Sequence, residues 1–452
     1  MTGELRKPRA VLVPFGYPGY PAELLSRFTN ESKELVESLG IDVVASPIFV
    51  APREDLQNVK SVIEENSTAD FFIPLILCWL EAPNVLDALQ EVLHKPLLLW
   101  SHTMWKDEGS DELLTLGPIP GAAVIRQTFE ELGLNFKFIY GMPNEEKLKN
   151  AIALYAKAAF TKNMLAHTRI GLLGYLSMGM YTGAFDHLPL REKLGTEVDQ
   201  WDQYVIIEKI ENMEDERVES LLSKAKSEWN IADAVTDNDL KTTLKMYVAL
   251  KELALENRWD SVTVKCQYEL SKHYKMTPCV PLSMLGNELT CSCEGDIPLM
   301  ISQLISYYLS GKIVAYGDIH TVMERSILLG ACGFAPFGLG DGKPSVDKTE
   351  VLYEGVANCT IYQEGLVTIS RLGYTRDRGF KMHMAAGTAQ KPPKFREVGC
   401  LTYPSMEVVL DGDCELFAQQ LPSQHYAIVY GDIREQIAET CRMLDIRIVE
   451  PR

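Results

Sequence analysis

Short apolar runs alternate with segments of helical period through the first third of the chain. Ala10–Phe15, Ile41–Val50, Phe71–Leu77 and Leu97–Trp100 read as strands, and Pro21–Leu39, Glu54–Glu65 and Asn84–Leu93 as helices, the first closed by Gly40. Strand and helix in strict alternation predict a doubly wound parallel sheet, with its ligand edge at the carboxyl ends of the strands. Those ends carry Gly16–Tyr20, Cys78-Trp79 and Trp100-Ser101-His102. The aromatic set suits the face of a sugar, and it equally suits simple packing at a sheet rim.

A long helix over Glu145–Ala166 leads to a second α/β unit that restarts at Arg169. Helices are expected at Glu214–Trp229 and Asp237–Glu256, and a strand at Ser261–Lys265. The Gly- and Met-rich turn from Gly174 to Gly183 sits where a nucleotide loop would. Its glycines, Gly174, Gly179 and Gly183, are spaced five and four apart, so the dinucleotide fingerprint is absent. Beyond His320 the texture changes to a glycine-rich connector and short β-like runs (Thr360–Tyr362, Leu366–Leu372, Phe380–Ala385, Met406–Leu410), closed by a helix Ile433–Leu444 and a strand Ile446–Val449. The expected layout is two doubly wound α/β domains, 1–167 and 168–320, followed by a mainly β domain, 321–452.

The densest chemistry lies in 290–320. Thr290–Glu294 reads as a strand ending on Glu294. Asp296 then caps a helix with Pro298 in its first turn, and Met300, Ile301, Leu304, Ile305, Tyr308 and Leu309 recur at helical spacing up to Gly311. Lys312–Tyr316 reads as a second strand, ending on Gly317-Asp318. As a parallel β-α-β crossover this unit would bring Glu294 and Asp318 to one carboxyl edge, facing one crevice. Alternatively each carboxylate caps a helix or pairs with a surface cation.

Composition narrows the partners. With 44 Lys+Arg against 62 Asp+Glu, the formal charge is −18, which disfavours nucleic acid and anionic membrane and favours neutral or cationic ligands. Ten cysteines at 78, 266, 279, 291, 293, 332, 359, 400, 414 and 441 form no CxxC pair, the pattern of reduced thiols in a cytoplasmic protein. Cys291-Ser292-Cys293 is too tight for a zinc knuckle and reads as a buried strand. The amino terminus lacks the apolar core of a leader, and no apolar run reaches about 18 residues, so no membrane segment is expected.

Eight histidines are available. CEGDI at 293–297, an aspartate 24 residues after the glutamate in a GD strand end, and a late histidine in QHYAIVYGD with a terminal helix behind it together resemble the L-fucose isomerase and L-arabinose isomerase family. The likeness is nearest to the L-fucose branch, whose second carboxylate ligand is an aspartate. It covers the second and third domains by motif and the first by architecture. The resemblance implies a metal-dependent aldose–ketose isomerase working through an enediolate. Glu294, Asp318 and His425 would hold Mn²⁺, or another divalent ion such as Mg²⁺ or Co²⁺, and Glu294 and Asp318 would also serve as the acid–base pair. It further implies substrate contacts at Gln267, Met180 and Trp79, with Trp79 serving a neighbouring protomer's site. Gln424 is a further substrate position, where many members carry another histidine or an asparagine. His320 is a weaker candidate for a fourth ligand. The expected assembly is a homo-oligomer: a trimer, tetramer or hexamer.

The residue types argue in the same direction. Two carboxylates and an imidazole make a mostly hard, oxygen-rich set with open positions, better suited to Mn²⁺ or Mg²⁺ than to closed tetrahedral zinc. Open positions admit a diol, the unit an aldose and its ketose share. The same chemistry serves a sugar epimerase or a carbon–carbon lyase. A non-catalytic sugar-binding protein also has two α/β domains, but it has no evident use for a metal in its crevice.

Overall fold

The computed structural model describes residues 5–50, 54–107, 109–349, 354–376, 378–395 and 403–451. Its contacts divide the chain into two compact units, one over 6–163 and the other from 164 onward.

The first unit alternates β1 (Arg9–Phe15), α1 (Ala22–Ser38), β2 (Asp42–Ala45), α2 (Glu54–Glu65), β3 (Phe71–Ile76), α3 (Ala82–Leu89), β4 (Leu97–Ser101), α4 (Pro118–Glu131), β5 (Phe136–Tyr140) and α5 (Glu146–His167). All five strands are parallel, in the order β2-β1-β3-β4-β5. β1, β3 and β4 are buried along almost their whole length, as strands covered on both faces must be. Two elements go beyond the sequence expectation, α4 and β5. Pro118, Pro120 and Gly121 open α4 with residues that read as loop, and β5 is a half-exposed edge strand with little apolar contrast.

The second unit begins with β6 (Arg169–Leu173), α6 (His187–Leu194), β7 (Glu197–Trp201), α7 (Tyr204–Glu211), α8 (Glu219–Glu228), β8 (Asn230–Ile231), α9 (Asp237–Glu256), β9 (Ser261–Val264), α10 (Cys279–Leu285), β10 (Thr290–Cys293) and α11 (Ile297–Ser310). The helix expected over Glu214–Trp229 is broken at Val218, where a short 3₁₀ turn, Asp215–Arg217, precedes α8. A parallel sheet runs β10-β9-β6-β7. The doubly wound layout is thus visible in part, as parallel sheets alternating with helices.

Next come β11 (Ala315–Val322), β12 (Ser326–Gly330), β13 (Ser345–Thr349), β14 (Gly355–Asn358), β15 (Gly365–Thr375), β16 (Gly379–Gln390), β17 (Ser405–Leu410), α12 (Cys414–Gln419), β18 (His425–Tyr430), α13 (Arg434–Met443) and β19 (Arg447–Val449). The order β15-β18-β11-β12-β17-β16 closes on itself through a β15–β16 pairing, giving a mainly antiparallel, barrel-like sheet with β19 added to β16. Closure removes exposed sheet edges. Ala315, Ile327, Leu329, Val367, Ile369, Met406, Val408, Tyr426 and Ile428 form its apolar core.

One expectation is overturned here. The chain does not return from α11 to the parallel sheet. β11 instead pairs antiparallel with β12 and β18 in the barrel. The cause lies in α11, which is buried on nearly every side and packs against β10 on one flank and β15 and β18 on the other. A helix that is apolar all round is core to two layers, and the strand after it joins the layer on its far side. Buried polar groups rivet both flanks: Gln303 Nε2 donates to the Cys291 carbonyl at 3.0 Å, and Ser302 Oγ accepts from the Leu372 amide at 2.7 Å. Asp318 consequently sits inside an antiparallel strand and not at a parallel strand's end.

Among the described residues no helix is long and apolar enough to cross a membrane. The nine cysteines among the described residues form no disulfide; Cys400 lies outside them. Cys291 and Cys293 lie buried on β10, as their spacing suggested.

Candidate active site

Glu294 leaves β10 in a conformation that its side chain disfavours. Its φ is +72° and that of Gly295 is +71°, two successive left-handed residues. A non-glycine residue held there is strained and marks a place where the surroundings dictate the backbone. Two hydrogen bonds fix the turn, from the Glu294 amide to the Val264 carbonyl at 2.8 Å and from the Ser177 amide to the Glu294 carbonyl at 2.9 Å. Glycine is required next, because a Cβ at 295 would lie 2.7 Å from the Tyr175 carbonyl oxygen.

Asp318 and His425 arrive by a different route. They are direct cross-strand partners in the β11–β18 pair, so their side chains share one face. The result is convergence from two sheets. His425 Nε2 stands 3.1 Å from Glu294 Oε2 and 3.1 Å from Asp318 Oδ1. This nitrogen is fully buried, and neither approach has the geometry of a hydrogen bond. The other ring nitrogen, Nδ1, is 2.8 Å from Asp296 Oδ2. Arg371 Nη1 donates to that same oxygen at 2.8 Å, and its Nη2 donates to the Thr182 carbonyl at 2.8 Å.

The electrostatics follow from this chain of contacts. Burial works against an ionised Asp296, but Arg371 and His425 outweigh it and hold the carboxyl down to about 2. Ionised Asp296 also caps α11 through the Leu299 amide at 2.9 Å. For His425, burial would lower the pKa, yet Asp318, Asp296 and Glu294 carry it well above the usual histidine value. Two carboxylates facing a buried ring nitrogen require positive charge between them, supplied by a proton or by a cation.

The donor set fits a hard divalent ion by residue type and by its orphaned nitrogen. Asp296 fixes Nδ1 as the protonated nitrogen and turns Nε2 inward, the arrangement that orients histidine ligands in metal sites. The imidazole nitrogen stands between the two carboxylates. Among the described residues, the group whose donor atoms all lie within 4.8 Å of one another is a different one, Cys266, Cys293 and Glu294.

The remaining expected residues fall into two groups. Gln267 is drawn in: its Nε2 donates to Glu294 Oε1 at 2.8 Å, while its own buried Oε1 has no partner. Gln424 and Met180 meet each other beside His425, with Gln424 Nε2 2.7 Å from Met180 Sδ. His320 stands apart, exposed at a β-bulge between Ile319 and Thr321. Trp79 belongs to the first unit, where it is 42% exposed and meets Tyr17 edge-on at 5.3 Å. Trp100 and His102 are fully buried packing residues of that unit.

Sequence reasoning missed Arg371 and saw Asp296 only as a helix cap. A signal for Arg371 existed: it is a lone cation inside the apolar run of β15, and a buried guanidinium needs a carboxylate. Nothing local reveals Tyr316, whose hydroxyl lies 2.5 Å from Cys293 Sγ and whose ring meets His425 edge-on at 5.4 Å.

No family model matches the chain. Four curated relatives do. All four are sulfoquinovose isomerases. The one from Priestia megaterium is 23% identical over 454 residues, spanning 96% of this chain and 97% of its own. The one from Clostridium sp. is 22% identical over 447 residues, spanning 96% of each. The one from Alkalicoccus urumqiensis is 23% identical over 371 residues, 78% of this chain and 80% of its own. Among solved structures, a periplasmic sugar-binding protein of an ABC transporter from Legionella pneumophila aligns with 68% of this chain and 97% of its own at 14% identity, but its TM-score of 0.17 supports no inference about fold.

Proposed function

We propose that the chain is a metal-dependent aldose–ketose isomerase whose reaction is carried by Glu294, Asp318 and His425. The isomerase class, an intramolecular oxidoreductase, rests on the sulfoquinovose isomerases to which the chain is similar along nearly its whole length. The observation that carries the site assignment is His425 Nε2, buried and without a hydrogen bond between two carboxylate oxygens. The resemblance to the L-fucose isomerase family supports the same three residues.

A divalent ion such as Mn²⁺, held by these three side chains, would polarise the carbonyl of the open-chain sugar and stabilise the negative charge that develops on its oxygen. The protein's own groups then account for the protons. Asp318 is the more open carboxylate, its side chain 19% exposed against 3% for Glu294. It takes the proton from C2, the electron pair forms the C1–C2 double bond of an enediolate, and the same carboxylic acid, open enough to exchange its proton with solvent, delivers a proton to C1. Glu294 passes the hydroxyl proton from O2 to O1, which completes the ketose with no atom gained or lost. Positioned acid–base groups of this kind contribute roughly 10²–10⁴-fold. Gln267 steadies Glu294 through one amide atom and presents the other, its unpartnered oxygen, to a sugar hydroxyl.

Sulfoquinovose is the first substrate to test, because it names all four relatives. Chelator-treated protein should be inactive, and Mn²⁺ should restore conversion of sulfoquinovose to its ketose in the wild type but not in Glu294→Gln or His425→Ala. Full turnover after exhaustive chelation, with bound metal shown absent by elemental analysis, would overturn metal dependence.

A further inference from the structure

The geometry points to a second cation site directly behind the first, in which Cys266, Cys293 and Glu294 take a thiophilic ion such as Zn²⁺ and withdraw Glu294 from His425 and Asp318. Their donor atoms lie within 4.8 Å of one another, and all three residues are buried. Cys293 ends β10, opposite Val264 of β9, and Cys266 follows two residues later, so neighbouring parallel strands deliver both thiols beside the Glu294 turn. A third thiol is near. Cys332, half-buried, places its Sγ 3.5 Å from Glu294 Oε1, offering a fourth donor and a way in.

Chemistry separates the two sites. Glu294 Oε2 stands 3.1 Å from His425 Nε2, whereas Oε1 accepts from Gln267 Nε2 at 2.8 Å and lies 3.5 Å from Cys332 Sγ. Thiolates favour zinc and similar soft ions over manganese and magnesium, whereas a set dominated by carboxylate oxygens accepts the harder ones. Zinc bonds of about 2.3 Å to sulfur put tetrahedral ligand atoms about 3.8 Å apart, so side-chain rotations that draw the donors in by about 1 Å close the site. Each thiol that binds releases its proton to solvent, and no redox change is involved. Sharing Glu294 couples the two ions, because the side-chain rotation that brings its carboxylate in to sulfur draws it away from His425 and Asp318. The thiol site rests on this geometry alone, and only its competition with Mn²⁺ depends on the function proposed above.

Co²⁺ is the probe, because cobalt bound to thiolate gives an intense near-ultraviolet charge-transfer band that oxygen and nitrogen ligands do not. In His425→Ala protein, Co²⁺ should produce this band and one equivalent of Zn²⁺ should abolish it. Cys266→Ala, which keeps Cys293 and its tyrosine contact, should weaken the band, and Cys266→Ser/Cys293→Ser should lack it while binding Mn²⁺ in the otherwise unaltered chain with wild-type affinity. In the wild type, stoichiometric Zn²⁺ should weaken apparent Mn²⁺ affinity at least tenfold. No thiolate band in the His425→Ala protein, or a band that survives in the double serine variant, overturns the site. A band without any Mn²⁺ binding upholds the thiol site and counts against the hard-ion site alone, so the two failures are distinguishable.

Discussion

In the proposed function, His425 would exchange a proton for a metal. Its folded pKa is raised above the unfolded value of ~6.5, because the facing carboxylates outweigh the cost of burial. A raised pKa means that the charged ring contributes its full stabilisation below the unfolded value and loses it as pH rises through the folded value. Metal-free wild type should therefore lose melting temperature with rising pH relative to His425→Gln; a constant difference would contradict the coupling. The same proton competes with the ion, so Mn²⁺ affinity measured by calorimetry should be higher at about pH 8 than at about pH 6, with proton release on binding. Asp296 makes a separable prediction. An asparagine at this position can still cap α11, yet Asp296→Asn removes the charge that orients His425 and strands buried Arg371. Mn²⁺ affinity should fall about 10–100-fold and stability by about 3–5 kcal/mol. Adding Arg371→Met should recover much of the stability in urea titrations and none of the affinity. Recovery of both would reduce Asp296 to a structural role.

Elements bring these residues together in a way that the sequence showed only in part. The α11 cap at Asp296, its stop at Gly311 and the buried strand before it were legible, because capping chemistry and helical spacing are local signals. The partner of β11 was not. Which sheet a strand joins depends on what lies on the far side of α11, and no residue within 290–320 encodes that. Glu294 and Asp318 were expected at one edge of a parallel sheet; instead each approaches His425, Asp318 through its cross-strand pairing with a residue over 100 positions away. Arg371 was missed because its carboxylate is 75 positions distant. The turn at the end of β10 can be tested by itself. Gly295→Ala would force a Cβ against the Tyr175 carbonyl in a left-handed conformation. It should cost about 1–3 kcal/mol in denaturant unfolding and weaken Mn²⁺ binding as Glu294 turns away. Unchanged metal affinity would show that this backbone does not set the Glu294 position.

For the whole molecule, the charge of −18 supplied a broad expectation of neutral or cationic ligands, whereas the relatives act on sulfoquinovose, a sugar bearing an anionic sulfonate. Net charge describes the long-range field, while local donors decide what is finally held. If sulfoquinovose is the substrate, that field opposes its approach, and salt screens it with a Debye length of about 10 Å at 0.1 M. The ratio kcat/KM for sulfoquinovose should then rise with ionic strength, while that for an uncharged aldose stays flat. A fall for sulfoquinovose would reveal a locally positive approach. Parallel sheets and the mainly β carboxyl-terminal region were readable from periodicity, because each strand's burial is written in its own residues. The closure of the barrel through β15 and β16 was not, since it depends on a pairing around the whole ring.

The central claim is that a proton, and not a hydride, moves between C1 and C2 under the care of Asp318. The measurement that tests it most directly is proton NMR of sulfoquinovose turned over in D₂O by Mn²⁺-loaded protein, with Asp318→Asn at matched metal occupancy as the control. Deuterium should appear at C1 of the ketose in the wild type, and turnover should collapse in the variant while the metal stays bound. Complete retention of the original hydrogen at C1, together with normal turnover in Asp318→Asn, would contradict it.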